Sequence, residues 1–170
     1  MDMAEAAAVP ISFATAHHCL FTRGMLRHGE TVLIQAAAGG VGLAAVQLAS
    51  QAGATVIAVA SGTERISRLH ELGAHYVVDR AKNNVVDSVR QYTHGTGVDL
   101  VIDPVGTTLP ASLSALASEG RLVFVGNAGG GNLTVDLWPP MQSNQTLMGV
   151  FMGLLKDPAF GQAWTTCCRL

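Results

Sequence analysis

Apolar residues follow two different rhythms along this chain. Short runs rich in Val, Leu and Ile predict strands at 31–36, 54–60, 75–79, 98–103, 120–126 and 146–151. Between them apolar positions recur every three or four residues, as at Val41, Ala44, Ala45, Leu48 and Ala52. That spacing predicts helices at 11–26, 40–52, 63–72, 83–93, 107–118 and after 157. Several strands are apolar at successive positions, as a strand must be when helices cover both faces of its sheet. Six strands with crossover helices imply an α/β fold: a doubly wound, parallel, six-stranded sheet in a three-layer α/β/α sandwich. The Gly- and Pro-containing stretch 126–140 is the longest loop and falls where such a sheet has its ligand crevice.

The most telling junction is the first. The strand at 31–36 runs into Ala36-Ala-Ala-Gly-Gly-Val-Gly42, and a helix opens directly after it. A helix N-terminus presents unpaired N–H groups and a partial positive charge, so a pyrophosphate can rest on it where no side chain intervenes. Gly39 lets the backbone approach such a group, and Gly42 lets the helix pack closely on the strand. The turn residues Ala38, Gly39, Gly40, Val41 and Gly42 are therefore candidate coenzyme contacts. In the common G-x-G-x-x-G pattern a glycine would stand where this chain has Ala37. The setting of strand, turn, helix and second strand is that of a Rossmann-type dinucleotide site.

The end of the second strand bears on which dinucleotide. NAD-binding proteins usually place a carboxylate there to accept from the adenine ribose hydroxyls. This chain has Ala60, Ser61 and Gly62, followed by Arg65. Small neutral residues and a guanidinium suit a 2′-phosphate, so NADP(H) is the expected coenzyme. Ser61-Gly-Thr-Glu64 fits a capping box that turns Glu64 back onto its own helix. Arg65 also admits a plain reading as a solvated helix residue.

Composition narrows the remaining classes. The chain has 170 residues, 49% hydrophobic and 13% charged, enough for one substantial core with little solvated surface. A formal net charge of −2 gives no electrostatic reason to expect nucleic acid or an anionic membrane as partner. Apolar runs stay short of membrane-spanning length, and the acidic start Met-Asp-Met-Ala-Glu does not resemble a secretory signal; a cytoplasmic location is expected. Cys19, Cys167 and Cys168 form no disulfide or zinc pattern. The neighbouring His17, His18 and Cys19 point in different directions on a helix and cannot converge on one ion. No metal is expected, and the sequons at Asn132 and Asn144 carry little weight.

Four stretches, in order, carry a family resemblance. Val32-Leu-Ile-Gln-Ala-Ala-Ala-Gly-Gly-Val-Gly-Leu-Ala-Ala-Val-Gln-Leu-Ala49, Glu71-Leu-Gly-Ala-His75, Gly97-Val-Asp-Leu-Val-Ile-Asp-Pro-Val-Gly106 and Gly120-Arg-Leu-Val-Phe-Val-Gly-Asn-Ala-Gly-Gly130 resemble quinone oxidoreductases of the medium-chain dehydrogenase/reductase superfamily. Ala36, Gly39 and Gly42 match the A-x-x-G-x-x-G turn of that family. The resemblance implies an enzyme that uses NADPH to reduce quinones, α,β-unsaturated carbonyls or similar small electrophiles, usually as a homodimer joined through the last strand near Leu147 to Phe151. It implies that Thr15 approaches the nicotinamide, although Thr15 can equally cap or pack within its helix. It places Asn127 near the nicotinamide half, where a mobile polar turn is the alternative, and makes Gly126 and Gly149 backbone contacts. Val105, in the turn Asp103-Pro-Val-Gly106, faces the same crevice. Asp103 is expected to shape that turn and cap the next helix rather than to act as a base. Where zinc-dependent relatives have a ligating cysteine this chain has Ile11, so the zinc-independent branch is favoured. Relatives commonly have a tyrosine after the third strand; Arg80 stands there instead, either as a second cation for the 2′-phosphate or facing solvent.

By this resemblance residues 1–26 are a connecting segment and incoming helix, 27–155 the coenzyme-binding domain, and 156–170 a truncated C-terminal segment. The GroES-like catalytic domain of the family is expected to be absent, so the isolated fragment is expected to turn over poorly and its catalytic residues are unknown. The same module resembles the enoyl-reductase domains of polyketide synthases, and a non-catalytic nucleotide-binding protein is the remaining alternative.

Overall fold

The structure, a computed structural model, describes residues 3–154. Six strands, β1 (Thr31–Ile34), β2 (Thr55–Ala60), β3 (Tyr76–Asp79), β4 (Val98–Asp103), β5 (Leu116–Phe124) and β6 (Thr146–Gly149), form one sheet. Its order is β3-β2-β1-β4-β5-β6, and every adjacent pair is parallel. Helices α1 (Met3–His17), α2 (Gly40–Gln51) and α3 (Thr63–Glu71) belong to one face. The helices α4 (Val85–Tyr92) and α5 (Leu109–Ala115) cover the other, and a short α6 (Trp138–Gln142) precedes β6. This is the three-layer, doubly wound arrangement expected from the apolar runs.

The two cores explain those runs. Val56, Ala58 and Ala60 of β2 join the cluster with Leu20, Val46 and Leu69, while the intervening Ile57 and Val59 join the cluster with Val89 and Leu113. Successive strand side chains point to opposite faces, and here both faces are dry. Strand β1 sits at the centre, with Val32 beside both Val56 and Leu100. Strand order reverses between β1 and β4, and their connections leave to opposite faces. That opens a crevice at the carboxyl ends of the strands.

Element boundaries differ from the sequence reading in instructive ways. The first helix begins at Met3, not at 11, because the alanine-rich stretch before Pro10 favours helix without showing an apolar stripe. It ends in a π-helical turn, His18–Arg23, rather than running to 26. The fifth helix stops at Ala115 and β5 starts at Leu116, four residues before the expected strand. Gly97, at φ +88°, is the reason: a Cβ there would stand 2.7 Å from the backbone of Leu116 and Ala117. With no Cβ in the way, Leu116 pairs with Val98. The expected loop 126–140 ends in α6, whose Pro139 sits in the first turn, where no N–H is missed. Strand β6 ends at Gly149 rather than 151, although the Val150 N–H still donates to the Phe124 carbonyl at 2.9 Å. The helix expected after 157 lies outside the described residues.

Candidate coenzyme site

Three loops meet at the crevice, and each is shaped by what its backbone must avoid. The first follows β1. Ala36 has φ +47°, and the Gly39 N–H donates to its carbonyl at 2.9 Å, which closes the turn. A Cβ on Gly42 would lie 2.6 Å from the Ala36 carbonyl oxygen and the Ala37 Cα, so the start of α2 sits against the turn only because residue 42 is glycine. Gly39 is the N-cap of α2, with no capping side chain and no acid in the first turn. The first internal bond of the helix runs from the Leu43 N–H to the Gly39 carbonyl at 2.8 Å. The N–H groups of Gly40, Val41 and Gly42 therefore have no intrahelical partner. Gly39 and Gly40 are exposed, Ala38 and Val41 half-buried. An anion placed here meets free donors, a positive helix end and no opposing carboxylate, so this turn fits the pyrophosphate of a dinucleotide.

Helix α1 packs beside this turn. Ser12 Oγ would lie 2.9 Å from a Cβ on Gly40, so α1 brings a side-chain hydroxyl against the start of α2. Thr15, one turn further along the same side of α1, is buried at 5% exposure.

The second loop lies beyond β2 and β3. The expected capping box does not form: Gly62, not Ser61, is the N-cap of α3, at φ +95°, and no side chain caps the helix. Ser61 Oγ instead accepts from Arg80 Nε at 3.2 Å. Two residues nineteen positions apart in sequence thus meet at the carboxyl edge, because Ala60 pairs with Asp79. Asp79 accepts from the Ala81 N–H at 3.1 Å and pairs with Lys82 Nζ at 3.5 Å. Arg65 is exposed in the first turns of α3, with no ion pair among the described residues.

The third group joins the loops after β4 and β5. Asp103 is fully buried and accepts from the N–H groups of Val105 at 2.8 Å and Gly106 at 3.1 Å, and from Ser112 Oγ at 2.8 Å. Thr108 Oγ1 lies 2.8 and 2.7 Å from its two oxygens. Such a carboxylate is saturated with donors and shapes the turn as expected, but it does not cap the next helix: α5 starts after Thr108 with no capping side chain. Gly106, at φ +83°, serves Asn127: a Cβ there would meet Asn127 Oδ1 at 2.6 Å. Gly126 lies against the Pro104 carbonyl, where a Cβ would come within 2.7 Å. Asn127 is exposed, and its Nδ2 makes a long 3.5 Å contact to the Gly131 carbonyl.

Three residues of this site, Gln35, Thr108 and Ser112, escaped the sequence reading. Gln35, 2% exposed, donates from Nε2 to Ser112 Oγ at 3.2 Å, and through Ser112 reaches Asp103 and Thr108. The only signal was a polar residue at the end of a fully apolar strand. The His17, His18 and Cys19 trio is partly or wholly buried, and burial pushes the Cys19 thiol up to about 12. Such a thiol is inert. Among the described residues no three His, Cys, Asp or Glu side chains converge as metal ligands, and no helix is long and apolar enough to cross a membrane.

Comparison with known proteins agrees with this geometry. The profile of the family described as zinc-binding dehydrogenase matches residues 40–167. Quinone oxidoreductase-like protein 2 of Bos taurus is 36% identical over 162 residues, which are 94% of this chain and 46% of that protein. The phthioceranic/hydroxyphthioceranic acid synthase of Mycobacterium tuberculosis is 37% identical over 154 residues, 89% of this chain and 7% of the synthase. Among solved structures, the quinone oxidoreductase of Thermus thermophilus, solved also with NADPH, superposes with a TM-score of 0.82 at 36% identity, covering 95% of this chain and 52% of that one. The chain thus spans about half the length of the quinone reductases it matches. With the glycine turn, the strand order and the crevice loops all in place, the chain belongs to the zinc-binding dehydrogenase family, as a Rossmann nucleotide-binding domain of the quinone-oxidoreductase-like kind.

Proposed function

We propose that this chain is the coenzyme-binding half of a zinc-independent, NADPH-dependent oxidoreductase that reduces a quinone or an α,β-unsaturated carbonyl. The observation that carries the choice of NADPH is the Ser61–Arg80 pair at 3.2 Å, at an edge where residues 60–62 hold no carboxylate. A 2′-phosphate is dianionic near neutral pH and favours a guanidinium with a hydroxyl beside it; Arg65, exposed in the first turns of α3, would supply a second cation. The turn at Ala38, Gly39, Gly40, Val41 and Gly42 holds the pyrophosphate. Thr15, Val105, Gly126 and Asn127 would hold the nicotinamide half.

When bound, the coenzyme supplies hydride to an electrophile lying in the crevice. The chain's own part is to fix that geometry, because a reacting pair held in alignment avoids most of the entropy of encounter. We read the protein as a cytoplasmic homodimer joined at the β6 edge and acting on small molecules rather than nucleic acid. The matches to a far longer reducing polyketide synthase of Cochliobolus heterostrophus and to the CurK enoyl reductase favour a second reading, in which the same domain serves as an enoyl reductase of a polyketide synthase.

Titration with NADPH and NADH, followed by coenzyme fluorescence, tests the choice. Arg80→Ala and Arg65→Ala are each expected to weaken NADPH by about 1–3 kcal/mol and leave NADH unchanged. Equal affinity for both coenzymes in the wild type, indifferent to either substitution, overturns the assignment.

A further inference from the structure

The crevice loops are not independent of one another. The Asp103 carboxylate gathers the N–H groups of Val105 and Gly106 and the hydroxyls of Thr108 and Ser112, all neutral donors, at 2.7 to 3.1 Å. The segment it pins then holds the next loop by its carbonyls. Val125 N–H donates to the Asp103 carbonyl at 2.9 Å, Ala128 N–H to that of Pro104 at 3.3 Å, and Gly129 N–H to that of Val105 at 2.8 Å. On the other side Ser112 accepts from Gln35, whose own N–H donates to the Ile102 carbonyl at 3.0 Å. Gln35 immediately precedes the pyrophosphate turn. One buried carboxylate therefore ties together the ends of β1, β4 and β5.

In a doubly wound fold the first three strands serve one nucleotide half and the last three the other. The loops after β4 and β5 accordingly face the nicotinamide half. We infer that Asp103, acting through Thr108 and Ser112, is a positioning residue for that half of the coenzyme: it sets the backbone of Val105, Gly126 and Asn127 without touching the ligand. A loop held only by exposed backbone would sample many conformations, and each ordered residue would have to be fixed again on binding. Donors converging on a buried carboxylate remove that loss beforehand. The inference rests on the coenzyme reading above and adds to it a division between the two halves of the ligand.

The division is what an experiment can see. Binding of NADPH and of 2′,5′-ADP, which carries only the adenosine half, is measured by calorimetry in the full chain and in Asp103→Asn, Thr108→Val and Thr108→Ser. Thr108→Val deletes one hydroxyl donor at a half-buried position, so it remains informative should Asp103→Asn fail to fold. Thr108→Val is expected to weaken NADPH about tenfold, the size of fixing roughly one loop residue again on binding. Affinity for 2′,5′-ADP should stay at the wild-type value, and Thr108→Ser should restore NADPH binding. A purely structural role would weaken both ligands together or neither, and either result overturns the inference while the coenzyme reading stands. A wild-type chain that binds neither ligand removes the coenzyme reading first, and this inference with it.

Discussion

Gly42 and Gly106 show how much a single missing Cβ decides at the residue scale. At Gly42 an added methyl would lie 2.6 Å from the Ala36 carbonyl oxygen and the Ala37 Cα, both of them backbone atoms. Neither can swing aside as a side chain would, so the turn must move away from α2. Gly42→Ala is expected to destabilise the fold by about 1–3 kcal/mol, as overpacking generally does, and to weaken coenzyme binding as well. Denaturant melts and NADPH titration of the same sample check both effects; an unchanged midpoint with unchanged affinity contradicts the geometry. The need for glycine at 42 was legible because the motif follows a strand and opens a helix. The role of Gly106 was not, because its neighbour Asn127 is brought to it only by the parallel pairing of β4 with β5.

Among the elements, α1 and its π-helical end carry a pH dependence. His18 is 7% exposed, and its pKa is lowered by burial first, then by the Arg23 and His17 charges; His17 is lowered by burial alone. A histidine whose folded pKa lies below its unfolded value binds more protons when unfolded, so stability rises with pH over that interval. The contribution is complete above about pH 6.5 and is lost as the pH falls below it. The melting temperature should fall between pH 7.5 and 5.5, and His18→Asn should flatten that decline. A slope unaffected by the substitution removes His18 as the cause. Where elements stop was harder to read than where they exist. The early end of α5 and the failed cap at Ser61 both come from pairings with distant chain, Leu116 with Val98 and Ser61 with Arg80. Local propensity contains no trace of either.

At the scale of the whole molecule, two features stand out at the sheet margins. Arg121 in the second half of β5 donates from Nε to the Gly24 carbonyl at 2.7 Å and from Nη2 to Glu30 at 2.6 Å, tying the segment after α1 to the sheet. Beyond β6, the neighbour of β5, no further strand pairs among the described residues. Strand β6 is an edge, with Leu147 44% and Phe124 36% exposed, and Phe151 just beyond it is 72% exposed. An apolar edge with unpaired backbone groups is suited to pairing with a second sheet edge. If the proposed homodimer uses this strand, Leu147→Lys should shift sedimentation toward the monomer and leave NADPH affinity unaltered. A dimer that survives the substitution is built on another surface.

The sequence alone determined the layer architecture, because buried strands and half-buried helices leave different apolar periods and those periods are local. It also determined the glycine turn after β1, where small residues lie next to one another along the chain. Tertiary structure decided everything that depends on two segments meeting: Arg80 beside Ser61, Ser12 over Gly40, and Gln35 joined through Ser112 to Asp103. Those contacts are set by strand order and register, and strand order arises from packing of the whole sheet rather than from any stretch of residues read in isolation.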